Sequence, residues 1–166
     1  MAHQIWAYRV DDKRFIPANK GVEPHTHKVM FEQVRKAYHA LAKELDIGIV
    51  PSGGAMFLAD TDAKWGYQPD TSFDFKNAKH PALPDQTHSL HTGWRWKKQK
   101  NEKHTLGMDG HHASAAGKYL LGCVWFEVFF GESVVENAFV PRDLSPDYAE
   151  FLRKTAHQAV SKARSK

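Results

Sequence analysis

The sequence predicts an α/β protein, and three observations carry that prediction. An amphipathic helical run ends directly on a short apolar strand, a second helical run is apolar almost all round, and a third begins on a Ser-Pro start signal and closes the chain. Helices patterned to cover a sheet need a sheet to cover, so the elements are best read as parts of one α/β unit.

Taken in order, "HQIWAY" (residues 3–8) reads as a short strand, and "RVDDKRFIPANKGVEP" as a polar loop with two prolines and a glycine. From Thr26 to Asp46, Met30, Val34, Ala37, Tyr38, Leu41, Ala42 and Leu45 recur every three or four positions, the spacing of one buried helix face. "IGIVP" follows as a wholly apolar strand, and "SGGAMFLAD" as a turn and short helix. Residues 61–106 have little periodicity, five prolines or glycines and three tryptophans, and are expected to form a long irregular loop or lid with a binding role. Ser114 is positioned to cap the next helix, whose Tyr119, Leu120, Cys123, Val124, Phe126, Val128 and Phe130 predict deep burial. The last helix has Ser145 as N-cap, Pro146 in its first turn, acids early and bases late, as the helix dipole favours.

Composition narrows the classes further. The 166 residues fit a single domain, and 42% hydrophobic and 25% charged residues are ordinary for a globular protein. No run approaches the roughly 18 apolar residues of a membrane span, and the N-terminus lacks a signal-peptide pattern, so a soluble chain is expected. The lone Cys123 excludes an intrachain disulfide. A net charge of +4, concentrated in "WRWKKQKNEKH" and "KARSK", is too mild to call for a nucleic-acid partner. Two short strands make a marginal sheet, so self-association or docking with a further segment is expected to complete it.

Chemistry concentrates in "GMDGHHASAAGKYLLG", residues 107–122. A catalytic imidazole needs a carboxylate to hold its tautomer, and Asp109 lies three residues before His112, a spacing that lets the pair meet across a turn at a helix start. Asp109 read alone is equally a loop or cap residue. The eleven histidines include "HTH", "HSLH", His104 and His111, but no His-Glu-x-x-His or cysteine pair accompanies them, so no metal site is assigned and solvated loop histidines are expected. Ser52 in "VPSGGA" does not satisfy Gly-x-Ser-x-Gly, and it is read, like Ser114, as a capping serine.

"DGHHASAAGKYLLGCVWFEVFFG" resembles the last conserved block of the SGNH (GDSL-type) esterases and lipases, Asp-x-x-His followed by His-Pro-Ser-x-x-Gly and an apolar helix. Asp109, His112, Ser114 and Gly117 match that block, and Ala113 replaces its proline. The similarity extends over "IWAYRVDD", the amphipathic helix and "IGIVPSGGAMFLAD", and not over residues 61–106. It implies the C-terminal part of a flavodoxin-like three-layer α/β/α fold and two-step ester hydrolysis, possible substrates including acylated carbohydrates. His112 would be general base and then acid, oriented by Asp109, with no cofactor. The family's nucleophile lies in a Gly-Asp-Ser block absent from this chain, and is expected ahead of Met1 in an intact protein. Within such an esterase, Trp65, Trp94 and Trp96 are candidates to stack on a sugar ring. A non-catalytic glycan- or polyanion-binding module and a metal-dependent hydrolase are the alternatives.

Overall fold

The computed structural model describes residues 1–15, 25–100 and 102–164. The expected loop 9–24 lies partly outside them. The chain is a mixed α/β protein with four α-helices and two two-stranded sheets among the described residues. Strands β1 (Ala2–His3) and β2 (Ile49–Val50) pair in parallel, Ala2 opposite Ile49 and His3 opposite Val50. Between them runs helix α1 (His27–Glu44), and after β2 comes α2 (Ser52–Asp60).

β1 is shorter than the expected 3–8 strand for a local reason. The backbone NH of Gly53 donates to Gln4 O at 3.0 Å, so the partner chain has already turned into α2 where β1 would continue. A side chain at Gly53 would stand 2.2 Å from Ile5 O, so the helix approaches this closely because the residue is glycine. Ser52 does not cap α2. Its hydroxyl is fully buried and lies 2.9 Å from His3 Nε2.

The expected loop at 61–106 is irregular only in its first part. β3 (His91–Lys98) and β4 (His104–Ala113) form an antiparallel hairpin that includes the basic "WRWKK" segment. Helix α3 (Ala115–Phe130) then begins at Ser114, whose hydroxyl accepts from Gly117 NH, and ends at Gly131 in the left-handed conformation that favours glycine. Helix α4 is Pro146–Arg164, with Tyr148 NH donating to Ser145 Oγ at 3.2 Å.

The core lies where α2, α3 and α4 meet. Met56, Leu90, Leu120, Val124, Leu152 and Val160 are among its members, all nearly or fully inaccessible to solvent. Glu127 is buried in the same helix because its carboxylate accepts from Val134 NH at 2.9 Å and faces His157 Nδ1 at 3.0 Å. The expected burial of α3 all round is corrected: Phe129 and Phe130 are 59% and 69% exposed, since α4 and α2 cover only its other side. The apolar face of α1 is likewise only partly covered. Phe31 stacks on Phe57 of α2 at 3.9 Å, but Leu41 and Leu45 remain exposed. Among the described residues no helix is long and apolar enough to cross a membrane.

Candidate functional site

The Asp109–His112 pair sits on a bulge in a strand, and not at the helix-start turn that its spacing suggested. His91 pairs with Ala113 and Gly93 with Asp109, so β4 places Gly110, His111 and His112 opposite the single residue Thr92. Extra residues on one strand of a pair bend it and redirect its side chains. Here the bend returns His112 over Asp109. His112 NH lies 3.3 Å from Asp109 Oδ1, and the ring Nδ1 lies 2.9 Å from the same oxygen.

Three contacts hold the bulge against the chain that leaves β1. Arg9 NH donates to Gly110 O at 2.8 Å, Trp6 Nε1 donates to His111 O at 2.9 Å, and Tyr8 meets the His111 ring edge-on at 5.5 Å. Downstream, Ser114 anchors the same turn to the segment before β3, its hydroxyl donating to Ser89 O and its NH to Leu90 O. The residues from Gly110 to Ser114 are therefore fixed at both ends by non-local hydrogen bonds.

Asp109 is buried, yet its carboxyl is held below the usual carboxylate range. Burial pushes it up, but the hydrogen bonds from the ring and backbone of His112, with the nearby imidazoles, outweigh burial. Arg95 from β3 also donates to its Oδ2 at 2.9 Å. An ionised Asp109 accepts only, which places the proton of a neutral His112 on Nδ1 and leaves the Nε2 lone pair free. The His112 side chain is 68% exposed, so a reacting group can approach the ring.

The three tryptophans do not join this pair. Trp94 is opposite Met108 and Trp96 opposite Leu106, which puts both on the hairpin face away from Asp109, Gly107 and Arg95. Trp94 packs on Phe75 at 4.6 Å, and Trp96 Nε1 donates to Ala82 O at 2.8 Å. Trp65 stacks with Tyr148 and Phe151 beside the core. All three are used in packing the irregular segment onto the fold.

Two features had no clear signal in the sequence. Arg95 reaches Asp109 only through the hairpin register. The second is a buried polar cluster around Arg9, whose guanidinium makes two hydrogen bonds to Asp11, at 2.7 and 2.9 Å, and others to Gln86 and Ser89. Beside it is a cavity of about 330 Å³ lined by Arg9, His27, Asp60 and Tyr67 among others. Asp60 Oδ2 stands 3.8 Å from both His27 Nε2 and His91 Nδ1. A larger, mostly apolar groove of about 640 Å³ runs between α1, α2 and α4.

No family model matches the chain, and no match was found among curated proteins. Among solved structures, its fold is similar to that of a DUF4886 family protein from Bacteroides uniformis ATCC 8492. The TM-score is 0.61 at 21% sequence identity, over 96% of this chain and 46% of that one. The chain thus spans about half the length of that protein, and the likeness is one of fold.

Proposed function

We propose that this chain is the C-terminal part of an SGNH-type serine ester hydrolase and supplies its Asp-His pair. The single observation that carries the reading is the hydrogen bond between His112 Nδ1 and Asp109 Oδ1, 2.9 Å, on an imidazole whose side chain is 68% exposed. That is the arrangement an acyl-transfer base requires: a carboxylate fixes the tautomer and stabilises the imidazolium, while the free lone pair takes a proton from a hydroxyl nucleophile.

In this reading the nucleophile comes from a Gly-Asp-Ser segment outside these 166 residues, and the whole forms a flavodoxin-like three-layer fold. The hydroxyl attacks the ester carbonyl as its proton passes to His112 Nε2. The imidazolium, held by Asp109, then returns that proton to the departing alkoxide. Water attacks the acyl-serine in a second round with the same proton movements. Ser52 is unsuited to the nucleophile's role because it is fully buried. The exposed phenylalanines of α3 and the short β1–β2 sheet support a further segment, or a second copy, packing there. Acylated carbohydrates remain a substrate class for this proposal, although Trp65, Trp94 and Trp96 lend it no support.

The test is ester turnover by the intact gene product, using p-nitrophenyl acetate, with His112→Ala and Asp109→Asn. Loss of about 10³-fold or more in kcat on His112→Ala is expected, with a smaller but large loss on Asp109→Asn. The reading fails if the gene encodes no Gly-Asp-Ser strand end ahead of the Met1 codon, or if turnover survives His112→Ala.

A further inference from the structure

The bulge in β4 brings a second imidazole to Asp109 that an acid-base pair does not use. His111 Nδ1 lies 3.5 Å from Asp109 Oδ1, the oxygen that also receives His112 Nδ1, and the two rings stand 4.0 Å apart. One carboxylate oxygen and two imidazole nitrogens therefore lie close together. Among the described residues this is the one group of three potential ligand atoms that all lie within 4.8 Å of one another. The histidines flanking Asp60 are not part of such a group, and neither is the stacked pair His80 and His104.

We propose that Asp109, His111 and His112 bind a zinc-class divalent cation, and that the bound ion blocks the action of His112 as a base. Zinc takes nitrogen and carboxylate ligands at about 2.0–2.2 Å, so tetrahedral ligand atoms stand about 3.3 Å apart. The 3.5 Å separation of His111 Nδ1 from Asp109 Oδ1 already fits, and the 2.9 Å hydrogen bond needs to open by only a few tenths of an ångström. Both imidazoles are about half exposed or more, so the ion has access and water can complete its coordination. Arg95 occupies Oδ2 at 2.9 Å, leaving Oδ1 as the ligand and fixing the carboxylate in the orientation that presents it.

The chemistry of inhibition follows from the tautomer. In the metal-free pair the proton of His112 is on Nδ1 and the lone pair on Nε2. Coordination through Nδ1 moves the proton to Nε2, with no net gain or loss for a neutral ring. A protonated Nε2 cannot accept a proton from a hydroxyl. Binding rests on the geometry alone, whereas the inhibitory consequence rests on the hydrolase reading.

Zinc titration of the chain by calorimetry, repeated by competition with a chromophoric chelator, tests the binding. Saturable 1:1 uptake is expected, weakened more than about 10-fold by His111→Ala and unchanged by the surface control His104→Ala. In ¹⁵N spectra of the imidazoles, zinc should move His112 from the Nδ1–H to the Nε2–H form. No 1:1 binding tighter than about 100 μM overturns the site, as does equal weakening by both substitutions. In the intact gene product, zinc should abolish ester turnover, and His111→Ala should relieve the inhibition. Binding with undiminished turnover overturns the inhibitory step. Binding by a protein with no metal-free turnover refutes the hydrolase reading and leaves the metal site standing.

Discussion

Asp60 sets up a pH dependence that a single substitution isolates. The residue ends α2 with its side chain buried, and among the described residues its Oδ1 has no hydrogen-bond partner. Burial raises the carboxyl from 3.8 to about 7, against the lowering influence of Arg9 nearby. The unfolded chain therefore releases this proton near pH 4 and the folded chain near pH 7. Across that window the folded state holds more protons, so the contribution is full below the unfolded value and is lost as pH rises through the folded one. The whole difference corresponds to about 4 kcal/mol, of which about 2–3 kcal/mol falls between pH 5 and pH 8. Asp60→Asn keeps the shape and removes the charge.

Urea unfolding of both proteins across pH 5–8 should show the wild type losing about 2–3 kcal/mol relative to Asp60→Asn. His27 and His91, each 3.8 Å from Asp60 Oδ2, work in the opposite direction: burial lowers both, His91 to about 4, so the stability they contribute is lost as pH falls below 6.5 and the unfolded chain takes up the protons. Both imidazoles are present in both proteins, so the difference between them reports Asp60 together with its coupling to these two rings. A difference that stays constant within about 0.5 kcal/mol, or a wild type that gains on the variant as pH rises, would refute the reasoning.

Two further expectations concern the frame around the bulge. Gly117→Ala should cost about 2–3 kcal/mol by thermal denaturation, since its Cβ would stand 2.2 Å from Leu90 O, whereas Gly122→Ala, with nothing within 4 Å, should be neutral or slightly stabilising. Arg9→Leu should cost about 3–5 kcal/mol in urea unfolding, because Asp11 loses a two-point partner and Gln86 and Ser89 lose a donor. Arg9→Lys should recover only part of that loss, since an ammonium cannot reproduce the fork.

The helices were legible because their signals are local. Ser114 and the Ser145-Pro146 start carry their own chemistry, and both helices begin there. The reach of burial was not legible: apolar spacing marks a face able to be covered, and whether Leu45 or Phe130 is covered depends on which other elements arrive. The hairpin went unread for a related reason. Its strand pattern is blurred by lysines, four histidines and two tryptophans, and its stability comes from pairing between residues up to 22 positions apart, His91 with Ala113.

The candidate site divides in the same way. By itself the sequence determined that an acid and an imidazole lie three residues apart ahead of a capped helix, because covalent spacing is the sequence. Only the tertiary structure decided that they meet on a strand bulge, that Arg95 and His111 join them, and that the tryptophans face elsewhere. Strand register and a bulge set which side chains share a face, and both come from long-range hydrogen bonds that no short window of residues contains.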